Sequence, residues 1–200
     1  MMHPRVSQEF ERICSERKAG GTVLEIGAVP SEDTLLCLES LKNAHKKIGI
    51  NLDGPYTYKN FEILKVNAND LSCFADSLFD TVVTNATLEH DGFFWKTLSE
   101  MKRVTRSGGL IAIGVPGFTK LEIEKSHRLI EKIPLLGLLL SRYLDPLFAS
   151  TLVLQIHNYP GDYYRFSPQA MREVFFSDMK EVKVRSFMIP PRIIGCGIKG

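Results

Sequence analysis

The stretch FDTVVTNATLEHDGFFWKTLSEMKRVTRSGGLIAIGVP, residues 79–116, holds a strand, a helix and a second strand in succession. FDTVVTN (79–85) is a short run rich in β-branched residues and bounded by turn residues, which predicts a strand. Across 91–106, Phe94, Leu98, Met101 and Val104 fall on one stripe at helical spacing. Lys102, Arg103 and Arg106 suit the negative end of that helix, and Gly108-Gly109 stops it. GLIAIGVP (109–116) is the next strand.

The same rhythm runs upstream. Val6, Phe10, Ile13 and Cys14 recur at helical spacing, and Gly20-Gly21 ends the amphipathic helix they predict. TVLEIG (22–27) is an apolar run stopped by glycine and reads as a buried strand. Ser31, after Pro30, is placed to cap a helix that turns Leu35, Leu36, Leu38 and Leu41 inward. KKIGIN (46–51) and FEILKV (61–66) are the second and third strands, so FDTVVTN is the fourth and GLIAIGVP the fifth. Only a short stretch around 71–78 links the third to the fourth. Strands alternating with helices predict βαβ units and an α/β fold with a mostly parallel sheet.

Beyond Pro116 the rhythm breaks. Residues 119–156 are expected to form a helical insertion, first polar and then very apolar. Ser167 then caps a helix with Ala170, Met171, Val174 and Phe175, and two closing strands are expected near 181–188 and 192–197. No internal repeat or linker interrupts the chain, which reads as one domain over residues 1–200.

Composition narrows the function. The formal net charge is +2, too near zero for a nucleic-acid binder that works by bulk electrostatics. The apolar share of 44% is ample for a packed core, which excludes disorder. Cys14, Cys37, Cys73 and Cys196 form no CxxC pair, so neither a zinc site nor a disulfide framework is signalled. Reduced thiols in a cytoplasmic protein are expected, and MMHPRVSQEFERIC lacks the apolar core of a secretory signal. IPLLGLLLSRYLDPLFASTLVLQI (133–156) has the length to cross a bilayer, but Arg142, Asp145 and two prolines interrupt it. The expectation is therefore no spanning segment. Burial in the core, a homodimer contact through 133–156, a lid over an apolar ligand and association with a membrane surface all stay open for it.

In an open α/β sheet, ligands sit beyond the carboxyl ends of the strands. The first strand ends in Glu25-Ile26-Gly27-Ala28, the second in Asn51-Leu52-Asp53-Gly54, the third in Asn67-Ala68-Asn69-Asp70 and the fourth in Thr84-Asn85-Ala86. Each has an alternative reading as plain turn chemistry. Together, at equivalent ends, they favour a pocket for a nucleoside-type ligand. Glu32 and Asp33, expected in the first turn after strand one, would repel a pyrophosphate. There is no GxGxxG and no GxxxxGKS/T, which argues against NAD and against ATP held in a phosphate loop.

VLEIG, GINLD, VNANDLSCFADSLFDTVVTNATLEH and MKRVTRSGGLIAIGVPG together resemble the successive motifs of class I S-adenosylmethionine-dependent methyltransferases, and in particular the type 11 group. NYPGDYYRFSPQAMREVF resembles the stretch before their last helix. The resemblance spans about residues 20–190. It implies a Rossmann-like three-layer α/β/α sandwich, with a mostly parallel seven-stranded sheet and an antiparallel strand near the C-terminus. It implies S-adenosylmethionine as cofactor and a small-molecule acceptor. By position, Glu25 and Gly27 match the acid and first glycine beside the methionine part of the cofactor, and Asn51 or Asp53 the residue that grips the ribose hydroxyls. Asn67 and Ala68 match the pair flanking adenine, and Asn85 the residue near the sulfonium.

Two departures have physical weight. Where the family has GxGxG, this chain has Gly27-Ala28-Val29-Pro30-Ser31, in which Val29 adds bulk and Pro30 removes a donor. Asn51 and Asn67 replace expected carboxylates and accept hydrogen bonds without charge. A degenerate loop of this kind also suits an alternative, a catalytically inactive binding or scaffolding module on the same fold. For catalysis, His90 in the LEH turn and His157 on the acceptor side are the candidate bases. His90 with Asp91 has an equal reading as the cap of the following helix.

Overall fold

The computed structural model of the chain describes residues 2–120, 151–152, 161–188 and 190–200. Helix α1 (Pro4–Glu16) opens it, and strands β1 (Thr22–Ile26) and β2 (Lys46–Asn51) follow. Next come β3 (Tyr56–Tyr58), β4 (Phe61–Lys65) and β5 (Phe79–Asn85). Helix α2 (Phe94–Val104) leads directly into the long strand β6 (Thr105–Pro116). Strands β7 (Thr119–Lys120) and β8 (Thr151–Leu152) pair with each other. A short helix α3 (Pro168–Ala170) runs on into a π-helical turn over Met171–Phe175. Strands β9 (Met179–Met188) and β10 (Pro191–Lys199) close the chain.

The main sheet has eight strands in the order β3-β4-β2-β1-β5-β6-β10-β9. β4, β2, β1, β5 and β6 run parallel, while β3 and the C-terminal pair are antiparallel to their neighbours. This is the Rossmann-like α/β sheet expected, with one more strand than the seven. The extra strand is a hairpin, in which Tyr58 stands opposite Phe61 across the Lys59-Asn60 turn. Lys59 takes the left-handed conformation that so tight a turn demands.

Alternation along the strands fills both faces. Leu24, Ile26, Val82, Ile111 and Ile113 pack on one side against Leu98, Met101 and Val104 of α2 and against Phe175 and Phe176. Val23, Val83, Leu110, Ala112 and Ile194 pack on the other against Val6, Phe10 and Ile13 of α1. A strand buried on both faces reads as a continuous apolar run, which is why TVLEI and LIAI are so greasy.

One expected helix changes form. Residues 35–41 are two 3-10 turns, Leu35–Cys37 and Glu39–Leu41, split by Leu38 in an extended conformation. Leu35, Leu38 and Leu41 recur every third residue, the period of a 3-10 turn, and all three are buried. Glu32 and Asp33 therefore precede 3-10 turns rather than occupying a helix's first turn. The insertion expected to be helical over 119–156 begins and nearly ends in strand, because Thr119 and Lys120 pair with Leu152 and Thr151. The rest of it, with His157 and most of 133–156, lies outside the described residues. No described helix is long and apolar enough to cross a membrane.

Candidate active site

The turn after β1 is built from Glu25 and Gly27. Gly27 has φ +78°, and a Cβ there would lie 2.1 Å from Thr87 Oγ1, so only glycine fits. Gly27 and Ala28 donate their N–H groups to the Ile50 carbonyl at 2.9 and 3.1 Å, which folds the turn onto the end of β2. Ala28 is buried and Gly49 beneath it has no room for a side chain, since a Cβ would meet the Ala28 methyl at 2.6 Å. Val29 is left half exposed, as a wall and not a plug.

Glu25 is buried on the α1 face of the sheet. Its carboxyl accepts from Leu35 N at 3.0 Å and Leu36 N at 3.1 Å, and Thr34 Oγ1 bonds it as well. Burial pushes this carboxyl up to about 7 despite those donors. Glu25 thus anchors the 3-10 turns that replace the expected helix.

A cavity of about 410 Å³ opens beside these residues. Glu25, Gly27, Val29 and Asp33 form one wall, and Asn85 and Ala86 at the end of β5 form its floor. Met2, His3 and Val6 cover it from α1, and Pro190 and Arg192 close the far side. Asp33 accepts from Met2 N at 2.7 Å, which holds its carboxyl below the usual range. The Asn85 Oδ1 is buried with no hydrogen-bond partner. A second hollow of about 310 Å³ lies behind the 3-10 turns, lined by Glu11, Glu32 and Glu39 among others.

The cavity brings together Glu25, Gly27 and Asn85 from the sequence-derived set and leaves Asn51, Asp53, Asn67 and Ala68 outside its lining. Asn51 Nδ2 donates to the Ala28 carbonyl at 2.8 Å, and its Oδ1 accepts from Asp53 N at 3.3 Å. The Nδ2 end ties the β1 turn to β2, and the Oδ1 end shapes the turn after β2. Asn67 Oδ1 accepts from Asn69 N at 3.0 Å and shapes its own turn. Asp53 is exposed on the same rim.

His90 does not line the cavity. Its Nδ1 bonds the Gly161 carbonyl, and its Nε2 lies 4.0 Å from Glu89 Oε1. Neither His90 nor Asp91 caps α2, whose N-cap residue Phe93 makes no side-chain cap bond; Asp91 braces the turn ahead of it. It accepts from Phe93 N at 2.8 Å and from Thr97 Oγ1 at 2.6 Å, and Asn69 Nδ2 donates to it at 2.8 Å. Glu89 is fully buried and its carbonyl receives Tyr163 N at 2.8 Å, which draws 161–166 onto the ligand end of the sheet. Met2, His3, Glu89 and Arg192 were not singled out from sequence. The one signal for Arg192 is a charged residue opening an otherwise apolar strand, PRIIGCGI.

The family model described as a methyltransferase domain matches residues 31–113, somewhat under half of the chain. No curated protein sequence matches it. Among solved structures, Burkholderia thailandensis 1,6-didemethyltoxoflavin-N1-methyltransferase is similar, with a TM-score of 0.66 at 13% identity. The match covers 96% of this chain and 77% of that one, a structure holding 1,6-didemethyltoxoflavin and S-adenosylhomocysteine. A SAM-dependent methyltransferase from Archaeoglobus fulgidus is similar at TM-score 0.64 and 16% identity, over 98% of this chain and 93% of the other. The YcgJ protein of Bacillus subtilis gives 0.63 at 14% identity, over 98% and 99%. The chain therefore has the fold of the class I S-adenosylmethionine-dependent methyltransferases.

Proposed function

We propose that this chain binds S-adenosylmethionine across the ends of β1 and β5 and transfers its methyl group to a small-molecule acceptor. The observation that carries the reading is the left-handed Gly27 at the end of β1, facing a cavity with Asn85 of β5. That turn is where the methyltransferase resemblance puts the amino-acid end of the cofactor. The Asn85 Oδ1 beside it is buried without a hydrogen-bond partner, packed towards Gly114 and Phe10.

The residues fit the cofactor unevenly. At the amino-acid end, the cavity offers Glu25, Asp33 and Arg192. At the adenosine end, Asn51 and Asn67 spend their amides on the backbone, so exposed Asp53 is the group left to meet ribose hydroxyls, with Ala68 beside the base. The chemistry S-adenosylmethionine supplies is a methyl group on a sulfonium with a good leaving group, so alignment and exclusion of water provide much of the rate. In this chain Gly27 allows close approach, Val29 walls the cavity and Met2 and His3 cover it. His90 fixes the 161–166 segment on the acceptor side through Gly161, a positioning task that leaves its Nε2 beside Glu89.

One observation favours a second reading. Because the Asn51 Nδ2 donates to the Ala28 carbonyl and so binds the β1 turn to the end of β2, the chain also suits a binding or scaffolding module that keeps the sheet without the cofactor. Calorimetry with S-adenosylmethionine and S-adenosylhomocysteine separates the two. Dissociation constants in the micromolar range are expected for the enzyme, and no measurable heat for the inactive module.

A further inference from the structure

The cavity carries opposite charges on opposite walls. Asp33 stands on the β1 side, and Arg192 stands on the β10 side. In the sheet order β5 and β6 separate those two strands, so the charges face each other across the ends of the middle strands. Arg192 begins β10 opposite Pro116, the last residue of β6. Its side chain is 15% exposed, and its Nη1 lies 3.4 Å from Glu89 Oε1, a long contact for a guanidinium. A guanidinium has five N–H donors, and one long bond satisfies few of them. Glu89 is fully buried, and its Oε2 has no hydrogen-bond partner. Asp33, across the cavity, already turns its carboxylate to a nitrogen donor, Met2 N at 2.7 Å.

A phosphate would be repelled by the Asp33 carboxylate of the β1 wall. A ligand carrying an ammonium and a carboxylate on one carbon satisfies both walls at once. We propose that Arg192 grips the carboxylate of the cofactor's amino-acid end, with Asp33 opposite the ammonium, and that Glu89 acts as a positioning residue that aims Arg192. The inference rests on the methyltransferase reading and assigns a recognition residue from the last strand, outside every motif that carries the resemblance.

The test is isothermal calorimetry on the full chain with two probes. S-adenosylhomocysteine has the amino-acid end, and 5′-methylthioadenosine is the same nucleoside thioether without it. Arg192→Gln should weaken S-adenosylhomocysteine about tenfold to a hundredfold, the range of a lost charged hydrogen bond, and leave methylthioadenosine unchanged. Arg192→Lys keeps the charge but loses the planar fork, so its loss should be smaller and again confined to S-adenosylhomocysteine. Glu89→Gln should follow the same pattern more weakly. Unchanged methylthioadenosine binding doubles as proof that each variant is folded. If Arg192→Gln and Arg192→Lys both bind S-adenosylhomocysteine like the wild type, the inference is overturned and the cofactor reading stands. Equal loss of both probes in both variants assigns Arg192 to structure and overturns it too. A wild type that binds neither probe overturns the methyltransferase reading, and this inference falls with it.

Discussion

Glu25 shows how one side chain serves both fold and site. It is a buried acid whose oxygens hold the N–H groups of Leu35 and Leu36, and burial raises its carboxyl to about 7. In the unfolded chain a glutamate titrates near 4.3. A raised carboxyl binds its proton more tightly when folded. Its stabilising contribution is therefore complete below about pH 4 and is lost as pH rises through 7. The loss amounts to about 4 kcal/mol at most. Urea titrations at about pH 5 and about pH 8 should show the lower midpoint at the higher pH. Glu25→Ala should lower stability at both and flatten the difference, because the titrating group is gone and two amides lose their acceptor. A variant with an undiminished difference would assign the pH dependence elsewhere. Glu25 and Gly27 were legible in VLEIG because a buried strand ending in glycine is a local signal. Arg192 and Met2 were not, because their place beside Gly27 depends on how β10 and α1 pack onto the sheet.

Among the elements, α2 and the 71–78 connection are joined by one residue. Arg103 donates to the Leu71 carbonyl at 2.8 Å, to the Phe74 carbonyl at 3.0 Å and to Asp76 at 2.6 Å, while Glu100 orients it at 2.8 Å. Glu100 in turn accepts from Leu71 N at 2.7 Å. This fork does the work of a helix the chain does not have between β4 and β5. Arg103→Ala should cost about 2 kcal/mol, from several hydrogen bonds to a charged group at a partly exposed site. Hydrogen exchange should quicken at the Leu71 and Phe74 amides while β1 and β5 keep their protection. Uniform quickening across the sheet, or none, would contradict that local role. The central strands β1, β5 and β6 were legible because each is a short run dominated by apolar or β-branched residues that ends at a turn. The 3-10 turns at 35–41 were misread as helix because four leucines within seven residues suit either winding. What decides between them is tertiary, the Glu25 carboxyl taking the Leu35 and Leu36 amides. The β3 hairpin was missed because YTY is three residues long and draws its order from pairing with β4.

At the scale of the whole molecule, sheet order explains why one cavity collects residues from both ends of the chain. β1 and β5 lie at the centre of the sheet, β10 folds back beside β6, and α1 covers that face with Phe10 fully buried. The chain thus has a sheet of the methyltransferase fold, with 3-10 turns between β1 and β2. An adenosyl amino acid bound at this rim would perturb residues on β1, β5 and the turns after them. The most direct measurement is a titration of nitrogen-15-labelled protein with S-adenosylhomocysteine, followed by amide chemical shifts. Saturable shifts are expected, centred on Gly27, Val29, Asp33, Asn85 and Ala86 and extending to Asp53 and Ala68 where the nucleoside would lie. Shifts confined to the acidic hollow near Glu11 and Glu39, or no shifts at all with excess ligand, would contradict binding at this rim.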